Sequence, residues 1–269
     1  MELRFDSVSL AMHGRPILAA LTGVLMPGRV TVILGANGAG KSTLLTCLAG
    51  LRAPDQGTVT LAGEQVLSLP PRVRAQRIGL LPQRGEVHWD IDAQTLVGLG
   101  RLPHCGRWGM TPTDHAAVAA ALAATDCTQL ALRSVQRMSG GEQARVLLAR
   151  VLAGAPAWLL ADEPLASLDP AHQLDVLEQL RQRAQQGVGV VVVLHDLTQA
   201  ARIADDVLIL REGHLLASGR DADVLTPDVL AAAYDVQVHV STSSAGERII
   251  VPLRRSPAPQ LDADHTAGG

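Results

Sequence analysis

Four short, predominantly apolar runs punctuate this chain: Val30–Leu34, Ile78–Leu81, Trp158–Ala161 and Val190–Leu194. They are continuous rather than alternating, which suits strands covered on both faces, as in a parallel sheet. Each runs into a residue with chemical capability. The first meets Gly35, the second passes Pro82 to Gln83, the third ends at Asp162-Glu163 and the fourth at His195. Open α/β sheets bind ligands beyond the carboxyl ends of their strands. Four such ends therefore predict one site.

Helical spacing fills the intervals, over Lys41–Leu51, Asp114–Thr125, Gly140–Ala153, Pro170–Gln186 and Leu197–Ile203. No strand pattern falls between about residues 85 and 154, so that block reads as a helical subdomain inserted between two strands of the sheet. Alternation in Glu2–Leu10 and a turn at His13-Gly14 predict edge strands near the N-terminus. Val207–Arg211, Glu212-Gly213 and His214–Ala217 make a hairpin pattern. The predicted fold class is α/β: a mostly parallel sheet, an N-terminal antiparallel β part and an inserted helical subdomain. From Ser256 to 269, Pro, Ala, Gly and Asp predominate, the composition of a disordered tail. There is no internal repeat.

With 269 residues, 47% of them hydrophobic, the chain can build one large α/β domain with a substantial core. Its apolar runs, Val188–Leu194 among them, fall well short of the ~20 residues of a membrane-spanning helix. Met1–Asp6 lacks the apolar core of a secretion signal, so a cytosolic chain is expected, reaching any membrane through a partner. The formal net charge of −3, with no Lys/Arg-rich stripe, argues against a nucleic-acid partner. Aromatics at 2% leave no base-stacking platform. Cys47, Cys105 and Cys127 are scattered without ligand spacing and read as structural.

The strongest motif is Gly35-Ala36-Asn37-Gly38-Ala39-Gly40-Lys41-Ser42, which fits the phosphate-binding pattern G-x-x-x-x-G-K-[ST] at every fixed position. Its glycines let backbone N–H groups converge on phosphate oxygens, and the helix from Lys41 adds its positive end. Lys41 would neutralise the β- and γ-phosphates, Ser42 would ligate Mg²⁺, and Thr43 can add a hydroxyl contact. Asp162 supplies the acidic strand end that such a magnesium–phosphate site requires, and Glu163 is placed to polarise the attacking water. Ser139-Gly140-Gly141-Glu142 reads locally as a capping box. The same glycine-rich helix start is also a second potential phosphate site.

In this order, Gly35–Ser42, Gln83, Met138–Gln143, Asp162-Glu163, Ser167-Leu168-Asp169 and His195 resemble the ABC-type ATPase cassette over residues 1–240, with 241–255 as a C-terminal extension. The resemblance implies ATP as substrate with Mg²⁺, and a head-to-tail homodimer. In that dimer Ser139, Gly140, Gly141 and Glu142 of each copy face the γ-phosphate held by the other copy's Lys41. It also implies that Gln83 touches Mg²⁺ and senses the membrane partner, that Asp169 bridges the subunits, and that His195 contacts the γ-phosphate. The partners implied are two membrane permease subunits and, indirectly, a solute-binding protein. The chain would then be peripheral, on the cytoplasmic face of a bacterial inner membrane.

Three positions depart from the family pattern. Ala11-Met12-His13-Gly14 lacks the usual aromatic that stacks on adenine, leaving Met12 or His13 to cover the base; Met138 replaces a leucine; and Leu165 stands where threonine is common. Thr95–His104, Ala171–Leu177 and residues 226–236 are similar to ATPases of bacterial iron-siderophore, haem and cobalamin importers. Other readings are an ABC ATPase for another solute, a soluble ABC ATPase acting on DNA or ribosomes, or a monomeric P-loop enzyme. The second class typically carries a coiled-coil insertion or two cassettes, and neither occurs here. In the third, Met138–Gln143 would be a helix cap and nothing more.

Overall fold

A computed structural model describes residues 1–83, 90–107, 109–244 and 246–255. The chain opens with β1 (Leu3–Met12) and β2 (Arg15–Leu25), joined by His13 and Gly14 at φ 51° and 76°. Two successive positive φ values give a hairpin turn whose twist matches its strands. Next come β3 (Val30–Leu34), α1 (Lys41–Leu48), β4 (Gln56–Leu61), β5 (Glu64–Gln65), α2 (Pro71–Arg77) and β6 (Ile78–Leu81). Helices α3 (Ala93–Gly98), α4 (Pro112–Ala124) and α5 (Gly140–Ala153) precede β7 (Trp158–Asp162). Then α6 (Pro170–Gln185), β8 (Gly189–Val193), α7 (Leu197–Ile203), β9 (Asp206–Arg211) and β10 (His214–Arg220) follow. The described chain closes with α8 (Asp221–Val224), α9 (Pro227–Tyr234), β11 (Val236–Thr242) and β12 (Arg248–Arg255).

The central sheet has the order β10-β9-β3-β8-β7-β6, parallel throughout except for the β9–β10 hairpin. Its strands sort their side chains by parity. Val30, Val32 and Leu34 of β3 enter one hydrophobic cluster and Ile33 the other; Val190 and Val192 of β8 oppose Val191 and Val193. One cluster is completed by α3–α7, the other by α1 and the N-terminal strands. This is why the four runs are continuous in sequence: both faces of each strand are covered. In register, Leu81 lies opposite Ala161, Asp162 opposite Val193, and Val193 opposite Ile33, so the four carboxyl ends are level.

The expected N-terminal antiparallel part is a sheet of its own, β2-β1-β4-β5, in which β2 is an edge strand, as expected, and β1 is internal. Their alternating burial leaves one face to solvent, and β4, which completes the pairing, comes after α1, beyond the reach of local pattern. The expected boundary between residues 240 and 241 falls inside β11, which pairs with β12 and packs with it against α7 and α9. Helix α4 begins at Pro112 because Thr111 caps it: Asp114 N–H donates to Thr111 Oγ1 at 3.3 Å. Between β6 and β7 the described residues contain helices and turns but no strand. The tail from Ser256 lies outside the described residues.

Candidate functional site

The loop between β3 and α1 is shaped by positions that exclude a side chain. A Cβ on Gly35 (φ 142°) would sit 2.1 Å from the Leu210 carbonyl oxygen. One on Gly40 (φ 99°) would sit 2.7 Å from the Ile17 carbonyl oxygen. At Gly40 no side chain caps the start of α1, a feature it shares with α2 and α8. By contrast α3, α5, α6, α7 and α9 are capped by Asp92, Ser139, Asp169, Asp196 and Thr226. The first-turn N–H groups of α1 are thus left to an external acceptor, and a phosphate is the matching one.

Lys41 is buried, and its Nζ donates to the carbonyl oxygens of Gly35 at 2.7 Å and Ala36 at 3.0 Å. Burial lowers its pKa, opposed by the charges of Glu163 and Asp162. Beside it, Asp162 is 8% exposed with the Ser42 hydroxyl close enough to favour its charge, while its Oδ1 has no partner among the described residues. Burial raises the Asp162 pKa; Glu163 pushes the same way, and Ser42 and Lys41 oppose. A buried carboxylate oxygen left bare beside a hydroxyl and phosphate-binding amides fits a hard divalent cation.

Glu163 sits at φ 50°, just before Pro164, a left-handed conformation that costs about 1–3 kcal/mol in a residue other than glycine. Its amide donates to Val193 O at 3.2 Å, fixing the turn to the neighbouring strand end. The carboxylate is gripped from two strands: Gln83 Nε2 donates to Oε2 at 2.6 Å, and His195 Nε2 lies 2.5 Å from Oε1. Gln83, Glu163 and His195 line one cleft of about 490 Å³ with Met12, Ile17, Asn37, Gly38, Gly40, Lys41, Ser42 and Thr43. Ala39 backs this loop, its amide donating to Ala36 O at 3.2 Å.

The structure therefore brings together the four strand ends predicted to share a site. It does not bring in Ser139, Gly140, Gly141, Glu142 or Asp169, none of which lines the cleft. Ser139 and Glu142 form the reciprocal cap: Ser139 N–H donates to Glu142 Oε2 at 2.7 Å, and Glu142 N–H to Ser139 Oγ at 3.3 Å. Hydrogen bonding from Ser139 lowers the Glu142 pKa. A Cβ on Gly141 would lie 3.5 Å from Leu168 Cδ2, so this turn rests on the segment leading to Asp169. Asp169 in turn caps α6 through His172 N–H at 3.0 Å. Of the two residues expected to cover a base, Met12 lines the cleft and His13 does not. Ile17 was missed because its position depends on the β1–β2 pairing. Tyr234 lies in the stretch 226–236, noted in the sequence only for family likeness, yet its hydroxyl accepts the Gly35 amide at 2.8 Å.

The family model for ABC transporters matches residues 18–166. A cobalamin import ATP-binding protein of Halobacterium salinarum is 40% identical over all of this chain and 68% of its own length. A hemin import ATP-binding protein of Bordetella pertussis is 41% identical over 89% of this chain and 94% of its own. Among solved structures, a metal-chelate type ABC transporter in an inward-facing conformation superposes with TM-score 0.81 at 28% identity, covering 93% of this chain and 97% of that one. A dimeric bacterial ABC transporter cassette superposes with TM-score 0.75 at 25% identity, covering 81% and 98%. With an uncapped phosphate loop, a bare Asp162 oxygen and Glu163 held between two other strand ends, this chain belongs to the ABC transporter family.

Proposed function

We propose that the chain is the ATP-hydrolysing subunit of a bacterial importer for an iron chelate (siderophore or haem) or cobalamin, working as a homodimer beneath two permease subunits. The observation that carries this reading is the division of the motifs. Gly35–Thr43, Gln83, Glu163 and His195 share one cleft, whereas the Ser139–Glu142 turn presents its glycine amides elsewhere. A second copy, turned head to tail, completes the site.

ATP places its phosphates on the loop amides and the uncapped start of α1. Lys41 exchanges the carbonyls of Gly35 and Ala36 for β- and γ-phosphate oxygens. Ser42 and Asp162 would hold Mg²⁺, with Gln83 at the same cleft wall; once bound, the ion neutralises charge developing on the phosphate oxygens. Glu163 takes the proton of the attacking water as the oxygen bonds to the γ-phosphorus and ADP departs. His195 and Gln83 aim that carboxylate, and His195 also reaches the γ-phosphate. Because the contacts of His195 and of the second copy's Ser139–Glu142 turn require the γ-phosphate, ATP favours the closed dimer and hydrolysis releases it, a switch biased by one phosphoryl group.

No helix among the described residues is long and apolar enough to cross a membrane. Attachment to the cytoplasmic face of the inner membrane is accordingly assigned to the permeases. The solute class rests on the relatives and on the likeness of Thr95–His104 and Ala171–Leu177 to their subgroup. Glu163→Gln, which keeps shape and removes the base, is expected to accumulate as an ATP-bound dimer on size-exclusion chromatography. A monomer with saturating ATP overturns the dimer mechanism. Mass spectrometry of the membrane proteins that co-purify with the chain tests the solute class, and a permease unlike those for hemin, siderophores or cobalamin overturns it.

A further inference from the structure

The first residue of the phosphate loop is held from outside the loop. Gly35 N–H donates to the hydroxyl of Tyr234, the only tyrosine in the chain, at 2.8 Å across a separation of 199 residues. Tyr234 ends α9, which buries Leu230 and Ala233 and is stopped by Asp235 in the left-handed conformation. The same helix end is tied to β9: Arg211 donates to the carbonyl of Ala232 and, at 3.2 Å, to Asp235 Oδ2. Its neighbour Leu210 turns its carbonyl to the face of Gly35 where no Cβ fits. Gly35 is thus boxed between the β9 backbone, Ala39 and one phenol oxygen. Burial pushes the Tyr234 pKa up to about 12, keeping the group neutral.

We infer that Tyr234 is a positioning residue for nucleotide binding, fixing the entry of the phosphate loop through the Gly35 amide. This rests on the ATPase reading above. A peptide group without its partner is free to rotate, and here it is the hinge on which the following amides depend. Those amides meet the phosphates in ground state and transition state alike, so loosening them weakens uniform binding, raising KM with kcat nearly unchanged. Leaving one buried donor unpaired corresponds to about a 5- to 160-fold effect when wholly expressed in binding. Relaxation and water entry reduce this, and a rise of about 3- to 10-fold is expected.

Tyr234→Phe keeps the ring and removes only the hydroxyl. Steady-state ATP hydrolysis should show KM raised about 3- to 10-fold and kcat within about twofold. A variant that melts earlier but keeps the wild-type KM makes Tyr234 a packing residue and overturns the inference. Should Tyr234→Phe fail to fold, hydrogen exchange of the wild-type Gly35 amide without nucleotide decides. Protection well above that of Gly38 N–H supports the hold, and equal exchange refutes it. Absence of hydrolysis by the wild-type protein itself would instead overturn the ATPase reading.

Discussion

Asp162→Asn should stabilise the nucleotide-free protein while weakening its response to Mg²⁺ and ATP. The wild-type carboxylate is buried with one oxygen unpartnered; leaving a buried polar group unpaired costs about 1–3 kcal/mol and more when it is charged, and Asn at this place carries no charge. The Ser42 hydroxyl and the Lys41 charge offset part of this, leaving a net gain of roughly 0.5–2 kcal/mol on neutralisation. For a chain of this size that is about 1–8 °C in Tm. The sign follows from the raised pKa. A carboxyl titrating higher in the folded state than its unfolded value near ~3.9 costs stability above that pH, in full once the folded pKa is passed. The advantage of the variant should therefore be complete at neutral pH and shrink toward about pH 4. Thermal melts in EDTA at pH 7.5 measure it. Adding Mg²⁺ and ATP should invert the order, since ligand at 100 times Kd stabilises the wild type by about 2.7 kcal/mol and the variant by less. If Asp162→Asn in EDTA melts at or below the wild type, Asp162 is a satisfied structural residue and the magnesium assignment loses its physical basis.

Ser139→Arg should leave ATP binding to the monomer within about twofold and abolish hydrolysis and dimer closure, because Ser139 lies outside the cleft of its own chain. Equilibrium binding of a fluorescent ATP analogue beside a phosphate-release assay checks this; loss of binding would place Ser139 in the same-chain site. In the helical subdomain, the hydroxyl and amide of Thr111, then Arg101 at 2.8 Å, hold Asp114 well below the usual carboxylate range. A depressed pKa contributes stability in full above the unfolded value of ~3.9 and loses it as pH falls through the folded value. Asp114→Asn should thus melt lower than the wild type at neutral pH, with the gap closing below about pH 4. A gap that persists in acid would refute the role of that charge.

Much of the candidate site was legible because its chemistry is local. Gly35–Ser42 needs no tertiary information to be a phosphate loop: glycines that permit left-handed backbone, then lysine and serine at a helix start, state it within eight positions. Asp162, Glu163 and His195 each follow a run whose continuous hydrophobicity marks a doubly covered strand, and strand ends in such sheets meet at one edge. The cap at Ser139–Glu142 was equally readable, since a capping box is made by residues three apart.

What the chain did not reveal locally was decided by pairings across long separations. That β1 is an internal strand depends on β4, and that α9 reaches the phosphate loop depends on where β9 and β10 deliver it. The grip of Gln83 and His195 on Glu163 spans 80 and 32 residues and exists only because β6, β7 and β8 are adjacent and in register. Sequence by itself determined the four core strands, five of the helices, the Ser139–Glu142 cap and the chemical groups of the site, because backbone preference and side-chain period act over a few residues. Only the tertiary structure decided which strand ends are neighbours, which carboxylate oxygen stays bare and which hydroxyl holds Gly35. Those depend on distances between residues that nothing in the local sequence ties together.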